Sequence, residues 1–186
     1  DPTNVQSAAF IVTDTDDHQT GDVVCDLDGT TAACDEQIDN IGEGAHTFNA
    51  TATDAAGNTA TASFSWYIDL TDPVPSIDSG PDNPTNSQSA SFSYGLSDDY
   101  QTGDIWECTI DGSETSCEDD IDNLAEGWHT FTATAYDAAG NSGSTSYSWY
   151  IDLTDPTVSI DGPNDPDNDQ SPSFTVTPDD DYSIDS

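Results

Sequence analysis

The 186 residues carry 38 Asp and Glu and no Lys or Arg, a formal charge of -38, so the chain lacks the groups that bind phosphates, which argues against nucleic acid or an anionic membrane surface as a partner. No apolar run approaches the roughly 20 residues of a membrane-spanning helix, and no basic-then-apolar leader opens the sequence, which reads as a mature or internal piece. Carboxylates at this density repel one another, and without Lys or Arg ordinary salt bridges are ruled out, so a compact state is expected only where cations are plentiful, as molar salt or as bound divalent ions.

One stretch organises the chain. Asp54-Ala-Ala-Gly-Asn58 leading to Trp66-Tyr-Ile-Asp-Leu-Thr-Asp-Pro73 returns 83 positions later as Asp137-Ala-Ala-Gly-Asn141 leading to Trp149-Tyr-Ile-Asp-Leu-Thr-Asp-Pro156. Self-similarity at that period means tandem copies of one unit. The expected boundaries are residues 1–72 for repeat 1, with its first strand missing, 73–155 for repeat 2, and 156–186 for the opening strands of repeat 3. A unit of this size buries a modest core and calls for disulfides, metals or neighbours to support it.

In chain order, Ser7 to Thr13 and Ser89 to Leu96 alternate small and aromatic residues and predict short strands with Phe10 and Phe92 turned inward. Acidic loops follow at Asp14 to Asp17 and Ser97 to Tyr100. The acid pairs within them, Asp16 with Asp17 and Asp98 with Asp99, could be mistaken for a glycosidase dyad, but where about every fifth residue is acidic such pairs carry no information.

The next segments, Asp22-Val-Val-Cys-Asp-Leu-Asp-Gly29 and Asp104-Ile-Trp-Glu-Cys-Thr-Ile-Asp-Gly112, run a strand into Asp-Gly, a strong hairpin signal. Cys25 and Cys34, like Cys108 and Cys117, are nine apart. Four cysteines allow three connectivities, and the period selects Cys25 with Cys34 and Cys108 with Cys117, which implies an oxidising compartment outside the cytoplasm. Zinc would need tighter spacing and further ligands. Ile38 to Ile41 and Ile121 to Leu124 predict a further short strand.

Gly44 to Asp54 and Gly127 to Asp137 alternate strictly, with His46, Phe48, Ala50 and Ala52 on one face and Thr47, Asn49, Thr51 and Thr53 on the other, the pattern of a half-buried strand. His46 and His129 are repeat-equivalent and read as packing residues rather than bases or ligands; His18 is replaced by Tyr100 in the next copy. Asn49-Ala-Thr51 is a glycosylation sequon on the outward face, absent from the second copy. A second alternating strand from Ala62 to Ile68 carries Phe64, Trp66 and Ile68 on one face, and Pro73 closes the unit.

Metal-ligating candidates fall in two places. The Asp54–Asn58 loop and its twin Asp137–Asn141 are turns first, with the Asp side chain bonding amides two residues on, and alternatively part of a calcium shell of six to eight oxygens. The junctions crowd carboxylates without a basic partner: Asp69, Asp72 and Asp78 at the first, Asp152, Asp155 and Asp161 at the second. Such clustering costs free energy unless a cation sits among them; a solvated halophilic surface is the alternative.

Repeat 3 opens with Val158 to Asp161, then Ser173 to Val176 and the acidic Asp179 to Tyr182. Two such strands cannot bury their side chains alone. Either later residues of a longer chain complete them or a strand is exchanged between chains; continuity is favoured, because Ser173 to Val176 duplicates a strand repeat 1 already holds.

Seven or so short strands per unit, frequent turn signals and no helical periodicity predict an all-β chain of antiparallel β-sandwiches. The ordered set Cys-x-Leu/Ile-Asp-Gly, second Cys, Gly-x-His-Thr-Phe, Asp-Ala-Ala-Gly-Asn, Trp-Tyr-Ile-Asp and a terminal Pro, over Cys25 to Pro73 and Cys108 to Pro156, resembles the bacterial immunoglobulin-like repeats found in tandem in large secreted and surface-anchored prokaryotic proteins. The resemblance implies a non-enzymatic stalk or filament module outside the cell, with neighbouring repeats or further copies of itself as partners and no membrane insertion in this segment. A surface module binding glycan or protein is the alternative, for which Trp106 and Trp128, without counterparts in repeat 1, are the only hint. No nucleophile elbow or phosphate loop is present.

Overall fold

The computed structural model describes residues 2–13, 15, 20–98, 105–163, 171 and 173–180. His18, Tyr100, Asp16, Asp17, Asp99 and Tyr182, and with them most of the acidic loops, lie outside the described residues. The described residues hold no helix and thirteen strands: β1 Pro2–Thr3, β2 Thr20–Leu27, β3 Thr30–Ala32, β4 Gly44–Asp54, β5 Thr59–Ile68, β6 Val74–Ser79, β7 Ser93–Ser97, β8 Ile105–Ile110, β9 Ser113–Thr115, β10 Gly127–Tyr136, β11 Ser142–Ile151, β12 Thr157–Asp161 and β13 Thr175–Asp179. The chain is all-β, a tandem array of immunoglobulin-like β-sandwich units whose strands pair antiparallel except where β1 runs parallel to β5.

Each full repeat is built on one sheet. In the first its order is β1-β5-β4-β2-β3, and in the second β11-β10-β8-β9. The period-two pattern sets the inward face: on β10, His129, Phe131, Ala133 and Ala135 are buried while the residues between them are not, as side chains that alternate across a strand require. The β2–β3 and β8–β9 hairpins close on Asp28-Gly29 and Asp111-Gly112, all four with positive φ, the backbone of the two-residue turn that matches strand twist. Cys25 is joined to Cys34 and Cys108 to Cys117 across these hairpins, with 5.3 Å between the Cα atoms of each pair.

The residues before each hairpin cross to the opposite side of the sandwich. Phe10 stacks on Phe48 at 4.0 Å and Phe92 on Phe131 at 4.0 Å. Of the short strands expected here, Ser89 to Leu96 reduces to β7 plus a single bridge, Ala90 to Ile121, and Ser7 to Thr13 to one bridge, Ala8 to Ile38. Ile38 to Ile41 and Ile121 to Leu124 likewise form no strand beyond those bridges. Asn40 and Asn123 turn the chain there with left-handed φ, which breaks a ladder.

The repeats differ on this second side. In repeat 2, β6 pairs with β7 and packs against β11 and β10. Ile77, Phe92 and Tyr147 thereby close over a core of Ala90, Cys108, Ile121, Leu124, Phe131, Ala133, Trp149 and Ile151. Repeat 1 has no counterpart of β6 among the described residues. Phe64, which takes the place of Tyr147, is 54% exposed. β12 and β13 repeat the β6–β7 pairing with every residue exposed.

Candidate metal centre at the repeat junction

Three carboxylates from three separate segments converge where repeat 1 passes into repeat 2. Asp69 directly follows β5, Asp98 follows β7, and Asp137 follows β10. One oxygen from each lies within 4.8 Å of the other two. A calcium ion about 2.4 Å from each ligand places opposite oxygens about 4.8 Å apart, so the group fits around one such ion. Asp69 is fully buried and Asp137 is 4% exposed. Burying charge in this way is costly unless a counter-charge accompanies it, and the chain contains no Lys or Arg to supply one.

Local structure holds the ligands in place. The Asp69 amide donates to Thr3 O at 3.0 Å, which fixes the end of β5 beside β1, and one oxygen of its carboxylate accepts from the Thr71 amide at 3.1 Å. The Asp137 carboxylate accepts from the amides of Gly140 and Asn141 and from Asn141 Nδ2, at 2.6, 2.8 and 2.7 Å. Asn141 Nδ2 also donates to the Asp69 carbonyl at 3.0 Å, so the Asp-Ala-Ala-Gly-Asn loop of repeat 2 is bonded directly to the end of repeat 1. The backbones come very close beside it: a Cβ on Gly143 would stand 1.9 Å from Pro73 O, a contact that only glycine permits.

The sequence-derived candidates divide accordingly. Asp69, Asp137 and Asn141 are brought together at this junction. Asp54 and Asn58, their repeat-1 twins in sequence, form an exposed closed turn in which the Asp54 carboxylate accepts from Asn58 Nδ2, the Asn58 amide and the Ala56 amide at 2.6, 2.7 and 2.9 Å. These bonds, that from the Asn58 side chain first, hold the Asp54 pKa below the usual carboxylate value. Asp72, Asp78, Asp155 and Asp161 are exposed and join no group of three ligands among the described residues; Asp78 accepts from Ser76 Oγ at 2.9 Å. At the second junction Asp152 is half-buried, bonded to the Thr154 amide at 3.1 Å, and lines one cavity with Asp155 and Asp180. Asn49 sits on the outer face of β4 with its Nδ2, the atom a glycan would modify, donating to Asp26 at 3.1 Å.

Sequence reasoning passed over Asp98, dismissed with its neighbour as an uninformative acid pair. The signal was present: Asp98 and Asp180 are one period of 82 apart, the spacing that relates Phe92 to Phe174. It also passed over the ion pairs the histidines make. His46 Nδ1 lies 2.8 Å from Asp28 and its Nε2 2.8 Å from Gly42 O; His129 sits likewise between Asp111 at 2.8 Å and Ala125 O at 2.9 Å. Burial pushes both imidazoles down in pKa, but bonds to the carboxylate and carbonyl outweigh it and both end above their ordinary value. With an acceptor on each ring nitrogen, the protonated ring satisfies both. Both histidines pack as expected, His46 beside Trp66 at 5.6 Å and His129 beside Trp149 at 5.7 Å, and each is in addition bonded to a carboxylate, with which it forms an ion pair when protonated.

No protein-family model and no curated protein matches the chain. Among solved structures it is similar to the fibronectin(III)-like modules of Clostridium thermocellum CbhA, at 14% identity over 81% of this chain and 87% of that one, with a TM-score of 0.45. It is also similar to a 1.5-MDa bacterial ice-binding adhesin, at 17% identity over 80% of this chain and 59% of that one, with a TM-score of 0.40. The fold assignment stands on the strands and sheets themselves.

Proposed function

We propose that the chain is a non-enzymatic, load-bearing segment of an extracellular filament or surface adhesin stalk, whose immunoglobulin-like repeats are stapled by disulfides and whose joints are stiffened by calcium. The observation that carries this reading is the junction cluster: Asp69 and Asp98 approach Asp137 from separate segments, and two of the three carboxylates are buried. A cation bound there ties the end of one repeat to a loop of the next, so binding energy becomes stiffness of the joint. The hard oxygen donors suit calcium rather than a soft transition metal. The hairpin disulfides suit an oxidising compartment, and a chain without Lys or Arg offers trypsin-like proteases no cleavage site.

The alternative, a surface module for glycan or protein, rests on Trp128, which is 60% exposed and meets Tyr150 edge-on at 5.6 Å. Trp106 does not add to it, because it packs against Tyr94 at 4.5 Å on the edge of the core. Small-angle scattering in molar KCl tests the joint. With calcium the profile should be that of a stiff rod, and chelation should broaden the distribution of end-to-end distances. A profile indifferent to chelation, but collapsing when KCl is removed, would assign the effect to screening alone.

A further inference from the structure

Asn49-Ala-Thr51 has the acceptor pattern for an N-linked sugar. Asn83-Pro-Thr85 has the same ends, but the proline between them disqualifies it, so Asn49 is the only acceptor of this pattern in the sequence. The fold sets it in the middle of β4, between β5 and β2, with both groups of the pattern on the outward side. Asn49 stands opposite Ser63 and Asp26, and Thr51 opposite Thr61 and Val24. The inward side of the same strand is closed by Phe48, stacked on Phe10.

The outward side is unlike the rest of the chain. From Thr47 with Ser65 to Thr53 with Thr59, every outward cross-strand pair of β4 and β5 is made of Ser, Thr or Asn, without a carboxylate in a chain that has 38. The strands packed against β4 are its sheet neighbours β2 and β5, and Val24 on that side is 58% exposed, so a bulky group has room there. Repeat 2 carries the same face without the acceptor. Thr132 replaces Asn49, and the residue across from it is Thr109 where repeat 1 has Asp26. Two facing positions thus differ together, and in repeat 1 they bond: Asn49 Nδ2 donates to Asp26 Oδ1 at 3.1 Å, an oxygen that also accepts from the Gly29 amide at 2.9 Å.

We propose that Asn49 carries an N-linked glycan, transferred outside the cytoplasm from a lipid-phosphate-linked sugar before repeat 1 folds. The disulfides place the chain in a compartment of that kind. In the transfer Asn49 Nδ2 bonds to the anomeric carbon of the sugar and gives up one proton. The bond from that carbon to the phosphate oxygen breaks, and the lipid phosphate leaves with the electron pair. The nitrogen keeps its second hydrogen, which serves the bond to Asp26, so the pairing of β4 with β2 survives the modification. The order of events follows from the fold. A transferase must take the Asn49 amide and the Thr51 hydroxyl together, and in the folded strand the first is held by Asp26 and the second lies 3.1 Å from Thr61 Oγ1. Both backbones are also in the ladder, so addition precedes the pairing of β4. The glycan then supplies hydration to a face on which no carboxylate does so.

The test is peptide mass spectrometry on the chain as its own cells export it. Cleavage after acidic residues releases Gly44 to Asp54, which holds Asn49, and its twin Gly127 to Asp137, which has no acceptor. The expected result is sugar mass on most copies of the first peptide, localised to Asn49 by fragmentation, and none on the second. Thr51→Val should abolish the sugar with Asn49 still in place, and Thr51→Ser should retain it. Because the native chain is read directly, the result does not hang on whether a variant folds. Chain prepared without sugar, folded, and then mixed with the cells' membranes and their lipid-linked donor should take up none. A bare Asn49 in the exported chain overturns the proposal. So does sugar that fragmentation places on Thr47, Thr51 or Thr53 instead, or sugar on Asn49 that survives Thr51→Val. Uptake by the folded chain overturns the order of addition. None of these readouts depends on calcium, so the joint stands or falls separately.

Discussion

Repeats 1 and 2 share almost every inward-facing residue, yet their homologous side chains live in different surroundings. Trp149 is fully buried and Trp66 is only half-buried; Asp137 is buried at a junction while Asp54 stands in water with its turn closed on itself. Identical pentapeptides thus make a ligand loop in one place and a plain turn in the other. The repeat supplies the loop and Asp98, and the neighbour supplies Asp69, whose carbonyl also holds Asn141. A repeat of this kind is completed from outside, as expected for a unit whose own core is small.

Paired substitutions break the comparison most strongly at the tryptophans. Trp149→Ala should cost about 3–5 kcal/mol of repeat-2 stability, in the range for large core truncations, whereas Trp66→Ala should cost roughly 2 kcal/mol because less area leaves water in the first place. Denaturant titration followed by the fluorescence of the remaining tryptophans reads both, and equal costs would mean that the open face of repeat 1 is covered in solution. The loop twins come next. With calcium at a hundred times its dissociation constant, the ion should add about 2.7 kcal/mol to the unit containing Asp137; Asp137→Asn should remove that increment, and Asp54→Asn should leave it intact, by calorimetry with and without chelator.

The staples should show no asymmetry. Both span nine residues, so replacing Cys25 and Cys34, or Cys108 and Cys117, by Ser should cost about 2–3 kcal/mol in either repeat on the chain-entropy account. Unequal losses would point to packing of Cys108 in the fuller core rather than to loop closure.

The smallest effect is that of pH. His46 and His129 are raised in the folded state, so their contribution is full below about pH 6.5 and fades as pH climbs through the folded value. Asp28 is lowered by its hydrogen bond to His46; burial pushes Asp111 up, but its bonds to His129 and the Thr130 amide together outweigh that and leave it lowered. Their contribution is full above about pH 4 and fades as pH falls. Stability from the pairs should therefore peak between about pH 4 and 6.5. Because both Asp side chains are more than a third exposed, each pair is worth under about 1 kcal/mol. A melting curve against pH whose alkaline decline persists unchanged in the double variant His46→Gln with His129→Gln would refute the assignment.

Most of the fold was legible because its signals are local and doubled: alternation marks β4, β5, β10 and β11, Asp-Gly marks the hairpins, and the period pairs the cysteines. Residues 7–13 were read as a strand because the alternation is there, but a strand needs a partner, and the one that β6 gives to β7 has no described equivalent for them. The junction was half legible. Asp69 was singled out for want of a basic partner and Asp137 and Asn141 as a loop able to join a calcium shell, while Asp72 and Asp78, chosen by the same reasoning as Asp69, are exposed. Sequence proximity gathered the acids of one segment, whereas the fold gathered one acid from each of three. The histidine pairs escaped notice because each joins a hairpin turn to a residue 18 positions on, in β4 or β10, with a whole strand between them.

The most direct measurement is isothermal titration of calcium into the chelator-treated chain in 2 M KCl, where screening is already complete. The account predicts one tight site per chain, abolished in Asp137→Asn and in Asp69→Asn and retained in Asp54→Asn. The absence of a tight site, or one that persists in Asp137→Asn, would contradict it.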